Sequence, residues 1–295
     1  GAPQTIGLLV AAAVLLPLTV VWELRQSEPL IQLRLFANRN FAVDNAVLAA
    51  VQFGLMGISV FGAIWVQDVL GFTPIEAGLS LLPLTLTLLV LAPRTGALYD
   101  RVGPRWPVAA GGLAVAAALG WSAFALSELS YWWIAPAYLL LGAGLAFVMT
   151  PANTDAMNAA PPALRGQASG VIQTSRQIGA TIGIALMGTV VANVQYDQIA
   201  DVLTQQAGVP ESQVPAVEQQ IGAAVQAGRG APANVPDSLV HALKEAITTA
   251  ISSAYWVAAG VLLITALAAA LLLRHQRAAD AAPDEGDAEV PMAFG

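Results

Sequence analysis

The chain has 295 residues, 57% hydrophobic and only 11% charged, with a net charge of −7 and a pI near 4.7. Soluble domains carry roughly 25% charged residues, so this composition excludes an ordinary soluble enzyme, and its acidity excludes a nucleic-acid binder. The absence of cysteine excludes disulfide scaffolds and thiolate sites.

Seven windows carry no Asp, Glu, Lys or Arg: 1–22, 45–67, 77–93, 106–127, 129–154, 177–196 and 246–273. A membrane helix needs about 20 mostly apolar residues, with a range of ~17–25. Every window is long enough, and none alternates at the ~10-residue spacing of a membrane β-barrel strand. Helices satisfy their own backbone in lipid. The expected fold is therefore an all-α polytopic membrane protein with seven transmembrane helices.

In chain order, the first span is expected over 4–22. The chain starts at Gly1 without a basic n-region or cleavage pattern, so this is read as internal to a longer protein and not as a signal peptide. Residues 23–40 mix charge with Leu30, Ile31, Leu33, Leu35 and Phe36, an amphipathic connector at the inner interface. Further spans are expected over 41–66, with Trp65 as an interface anchor, then 76–97, kinked by Pro83 and Pro93, 105–126, and 131–150, ended by Pro151. The next covers 167–193. Segment 194–236 is polar. Asp237 is expected to cap an amphipathic outer helix over 237–250, and the last span is expected over 254–273. The acidic tail 274–295 reads as disordered.

Charge sets the orientation. With 23–40 inside, the inner loops and tail hold Arg25, Arg34, Arg39, Arg94, Arg101, Arg105, Arg165, Arg274 and Arg277, while the outer loops hold only Arg229 and Lys244. The positive-inside rule favours this assignment over its inverse. The negative net charge resides in 197–245 and 274–295, not in the membrane body.

The most specific motif is Gly96-Ala97-Leu98-Tyr99-Asp100-Arg101-Val102-Gly103-Pro104-Arg105, between the third and fourth spans. Gly96 would allow close helix approach. Asp100 could accept hydrogen bonds from the next helix N-terminus or pair with Arg101 or Arg105, and Gly103 would permit the tight turn. The bland alternative is a short basic hairpin that only sets topology. This motif resembles the G-x-L-x-D-R-x-G-R latch of the major facilitator superfamily, although Pro104-Arg105-Trp106 carries fewer basic residues than the family pattern. Glu28-Pro29-Leu30, Arg34-Leu35-Phe36 and Arg39-Asn40-Phe41 are similar to the connector of the fourteen-span drug:proton antiporters, the EmrB/QacA-like multidrug efflux permeases. Gly71-Phe72-Thr73-Pro74, Ala77-Gly78-Leu79, Arg165-Gly166-Gln167-Ala168-Ser169-Gly170 and Arg176-Gln177-Ile178-Gly179 resemble elements of that branch's second half.

The resemblance implies one extra helix (1–22) and a cytoplasmic connector (23–40). The C-terminal six-helix bundle follows: five helices over 41–193, an extracytoplasmic loop over 194–253 and a last helix over 254–273. It also implies a partner, the N-terminal half of the same protein, and a location in the bacterial cytoplasmic (inner) membrane as a multi-pass protein.

Polar residues inside spans are the candidates for a substrate cavity, because buried polar groups in lipid face protein or water. Asn45, Gln52 and Ser59 recur every seven residues on one helix face, with Asp44 beside them. Gln173, Arg176 and Gln177 cluster near the start of the sixth span. Arg176 either lines a cavity or snorkels to the inner surface, and Asp44 and Asp155 are its possible acid partners. Tyr138 and Met149 either line the cavity or pack. Gly166/Gly170 and Gly179/Gly183 are small-xxx-small pairs, serving plain helix packing or a rocking motion.

His241 and His275 stand far apart, so no metal and no cofactor is expected. The expected function is secondary active transport, proton-driven export of small amphipathic compounds or drugs by alternating access. Lipid, amphiphilic substrate and protons are the expected partners, and nucleic acid is not. Because no carboxylate sits squarely mid-membrane, the main proton site is expected in the other half. The alternatives are a polytopic enzyme acting on lipid-linked substrates, which would need convergent acids, His or metal, and a non-transporting sensor or assembly subunit.

Overall fold

The computed structural model describes residues 33–205 and 237–273, together with nine scattered positions between 7 and 22. Those nine (Gly7, Val10, Ala11, Val14, Leu15, Pro17, Leu18, Val21 and Trp22) are helical and exposed. The rest of the first expected span, the connector up to residue 32, segment 206–236 and the tail lie outside the described residues. Six stretches are long and apolar enough to cross a membrane among the described residues: Arg39–Asp68, Pro74–Val102, Arg105–Glu128, Tyr131–Asn158, Pro162–Ala200 and His241–Leu272. The seven-span expectation is thus met for six.

A 3-10 turn (Leu33–Ala37) leads into α1 (Arg39–Asp68). Asn38 caps α1, its side chain accepting from the amides of Asn40 (3.0 Å) and Phe41 (3.4 Å). The short α2 (Pro74–Leu79) opens with a capping box in which Thr73 and Glu76 satisfy each other's backbone amides. After it come α3 (Leu82–Val102) and α4 (Arg105–Ala125). A 3-10 turn (Leu126–Glu128) follows, then α5 (Tyr131–Asn158), α6 (Arg165–Gln205) and α7 (Asp237–Leu272). Several hydroxyls inside the spans bond back to their own helix: Ser59 donates to the Leu55 carbonyl (2.7 Å), Thr87 to Pro83 (2.7 Å) and Thr265 to Val261 (2.9 Å). This removes the cost of leaving a hydroxyl unpaired in lipid.

Four helices make the compact centre. α4 packs on α5 and α7, and α1 packs on α7, α5 and α6; α6 also lies against α7, while α3 is held almost wholly by α5. Large buried side chains from α1, α4, α5 and α7 fill the middle, among them Phe41, Leu48, Ile58, Leu119, Leu141, Leu145 and Tyr255. Burying such a side chain contributes about 1.5–3 kcal/mol relative to water, but a membrane-facing position is already dry, so in lipid close packing carries the association. α3 and α6 expose Leu86, Leu89, Val90, Ile178 and Ile182, which a water-soluble fold would hide.

Several expectations are corrected. Pro83 sits in the first turn of α3, where its missing N–H costs nothing, so only Pro93 is interior. Pro151 does not end the fifth span. α5 runs through it to Asn158, with Pro151 itself buried inside the helix. Trp65 is not at an interface: it is fully buried, and its indole donates to Thr248 Oγ1 at 3.0 Å. The outer helix expected over 237–250 and the span over 254–273 are one rod, α7. Ala242, Ala246, Ala250, Ala254, Ala258, Leu262 and Ala266 are all buried at four-residue spacing, so one packing face runs through the expected break.

Candidate functional site

The loop between α3 and α4 marks the basic end of the bundle. Gly103 terminates α3 with φ +75°, a left-handed value that a side chain would strain, and its amide donates to the Tyr99 carbonyl at 2.8 Å. Asp100 and Arg101 are exposed. Among the described residues Asp100 forms no salt bridge, and α4 begins at Arg105 without a side-chain cap. The expected pairing of Asp100 with Arg101, Arg105 or the α4 N-terminus is therefore not made. Arg105 ties the loop down differently. Its Nε donates to the Ala270 carbonyl at 2.7 Å, in the last turn of α7, and its guanidinium lies 5.3 Å from the Trp106 ring centroid. A cation at a helix C-terminus meets carbonyls that have no intrahelical donor. At Gly96 an added Cβ would meet Thr150 Cγ2 at an ordinary 3.7 Å, so the α3–α5 approach there does not require glycine.

The stripe on α1 has a definite direction. Gly54 faces Leu119 of α4 and Leu262 of α7, Gly62 faces the hydroxyls of Tyr138 and Tyr255, and Gly57 faces Met187 of α6. Gln52 lies roughly 200° from Gly54 around the helix, and Asn45 and Ser59 fall near it. The stripe thus points away from α4 and α7, toward the side of α1 that lies between α5 and α6. Gln52 and Ser59 are half-buried there and Asn45 is buried. Asn45 Nδ2 donates to the Phe41 carbonyl (2.8 Å), while Asn45 Oδ1 and Gln52 Oε1 have no hydrogen-bond donor. Two buried polar acceptors on one face are therefore left without a donor among the described residues.

The other candidates do not converge on that stripe. Gln173 and Gln177 are exposed on α6, and Arg176 is half-buried; among the described residues Arg176 has no ion pair with Asp44 or Asp155. Tyr138 is buried in the core, and Met149 packs against it half-exposed. Two clefts, of about 350 Å³ beside Arg34, Asn38 and Pro161 and about 240 Å³ beside Phe72, Glu76 and Tyr131, include none of the candidate cavity residues. On α6, a Cβ added to Gly179 would run into the backbone of Ala49, and one added to Gly183 would come within 2.6 Å of the Phe53 carbonyl oxygen. Gly166 and Gly170, expected to pack as a similar pair, face open space.

One grouping escaped the sequence reading. Asp155 of α5 accepts from Asn40 Nδ2 of α1 (3.0 Å) and from the Tyr99 hydroxyl of α3 (3.2 Å), and Tyr99 in turn accepts from Asn158 Nδ2 (3.2 Å). Asp44 of α1 stands against Asp155. All of these but Asn158 are buried. Only Asp44 and Asp155 attract attention in the sequence, because residues 115 positions apart are joined only by the packing of α1 on α5. No group of three or more His, Asp or Glu side chains able to hold a metal occurs among the described residues.

Fold and site together define a multi-pass helical membrane protein with buried, unpaired polar acceptors along one face of α1. The chain belongs to the Major Facilitator Superfamily, whose family model matches residues 4–184. It is 31% identical over 287 residues to the tetracenomycin C resistance and export protein of Streptomyces glaucescens, covering 96% of this chain and 53% of that protein. It is 35% identical over 189 residues to the multidrug resistance protein Stp of Mycobacterium tuberculosis, covering 64% and 35%. With the methyl viologen resistance protein SmvA of Salmonella typhimurium the identity is 29% over 262 residues, covering 88% and 52%. The chain thus spans about half the length of the first of these relatives. Membership in a transporter family sets aside the membrane-enzyme reading.

Proposed function

We propose that this chain is the C-terminal half of a fourteen-span drug:proton antiporter that exports small amphipathic compounds from a bacterial cell across the cytoplasmic membrane. The observation that carries the reading is the α1 stripe. Asn45, Gln52 and Ser59 point away from α4 and α7 toward the side of α1 between α5 and α6, two helices that touch only lightly, where a substrate cleft would lie, and two buried acceptors on that face have no donor among the described residues. An amphiphile with a donor group would find partners there and apolar walls around them. The relatives' length, about twice that of this chain, supports a second bundle across the cleft, and their names support drugs as cargo. Alternating access follows if two bundles rock about that cleft, with the Asp100 loop as a latch that engages in one state and releases in the other.

The test is efflux of a lipophilic fluorescent cation from cells expressing the full-length gene. Retained dye should rise when the proton gradient is collapsed, and Gln52→Ala should weaken efflux with the protein still present in the membrane. Efflux that ignores the gradient would reject proton coupling, and efflux that ignores Gln52 would reject the stripe as the route.

A further inference from the structure

The buried acids at the basic end are not explained by transport of an amphiphile through the α1 cleft. Asp44 is fully buried, and among the described residues neither of its carboxyl oxygens has a hydrogen-bond donor. Its neighbour is the carboxyl of Asp155, itself 3% exposed. Asp155 is supplied with donors by Asn40 and Tyr99, one to each oxygen. Asp44 receives none. The titratable groups facing Asp44 are Asp155 from α5 and Tyr99 from α3. Among the described residues no Arg, Lys or His of any helix, α6 and α7 included, forms an ion pair with either acid.

Two ionised carboxylates are acceptors only. Side by side in a dry interior they repel, and neither can satisfy the other. One added proton changes both facts. The protonated oxygen becomes a donor to the facing carboxylate, the pair carries one charge in place of two, and that charge rests on Asp155, where the amide of Asn40 and the phenol of Tyr99 already point. The asymmetry of donors assigns the proton to Asp44.

We propose that Asp44 and Asp155 form a buried site that binds a single proton at the basic ends of α1, α3 and α5. Loss of the proton leaves like charges across the α1–α5 contact, so the site is a proton-dependent clasp between those two helices. A multivalent metal would require a third acidic or imidazole ligand, and none stands there among the described residues. The inference concerns this chain alone and does not rest on the export reading.

The experiment is infrared spectroscopy of the whole chain in lipid nanodiscs at pH 7, where free carboxyls are ionised. The wild type should show a protonated-carboxyl C=O band that shifts in D2O. Asp44→Asn should abolish it, because the new amide supplies the hydrogen to Asp155. Asp155→Asn should shift or abolish it, whereas Asp100→Asn should leave it unchanged. The two pair variants serve as independent readouts if one fails to fold. No such band in the wild type, or an unaltered band in both pair variants, would overturn the site. So would a wild-type band present in choline chloride and absent in sodium chloride, since the pair would then hold a metal cation.

Discussion

At the scale of single residues, the latch motif and its structural anchor are different side chains. Asp100 is exposed and makes no salt bridge, so Asp100→Asn should leave the melting temperature in detergent within about 1 °C, as surface substitutions change stability little. In the full-length protein the same variant should slow efflux, and unchanged efflux would remove the latch role. Arg105 is the opposite case. Arg105→Ala removes a charge-assisted hydrogen bond to the Ala270 carbonyl and the stacking on Trp106. Hydrogen bonds to charged groups contribute ~1.5–3 kcal/mol, and half-exposure of this one reduces the expected loss to about 1 kcal/mol. A thermal shift of a few degrees with Asp100→Asn unaffected is the predicted pattern.

Among elements, the contrast between two glycine pairs on one helix is the sharpest test. Gly→Ala in a helix ordinarily gains up to about 1 kcal/mol from propensity. Gly170→Ala should follow that rule, since nothing lies near its added methyl. Gly179→Ala should reverse it, because the methyl meets the α1 backbone and α6 must move outward; overpacking typically costs ~1–3 kcal/mol. Equal melting temperatures for the two variants would contradict the α1–α6 contact. The same pairs show how far sequence reading reaches. The small-xxx-small pattern is identical in both, and only the position of the neighbouring helix separates them. Helix existence was legible because charge-free windows reflect a solvent requirement that acts locally. Helix ends were less so: Pro151 is carried by neighbouring packing, and the join inside α7 depends on an alanine face whose partner, α4, is far away in sequence. The stripe on α1 was visible as a seven-residue period, but the side of the bundle it faces was not. The Asp155–Asn40–Tyr99 network has no local signature at all.

For the whole molecule, composition and fold predict a body that resides in lipid with its basic end facing the cytoplasm. The chain has no cysteine, so a cysteine introduced into it is its only one, and with any cysteine elsewhere in the full-length protein replaced, its access to a water-soluble thiol reagent reports side and depth. Arg101→Cys lies at the exposed basic end and should be labelled in inverted vesicles but not in intact cells. Glu128→Cys, in the turn before α5, should show the reverse. Ile264→Cys, exposed on α7 in mid-span, should resist the aqueous reagent from both sides because lipid covers it. Ser59→Cys is the decisive position. Its depth in α1 is that of a lipid-covered residue, yet it lies on the face that points away from α4 and α7. In the full-length protein it should react from at least one side, and a lipophilic cation in excess should slow that reaction. Resistance equal to that of Ile264→Cys would show that the polar face of α1 is sealed and that no aqueous cleft follows it.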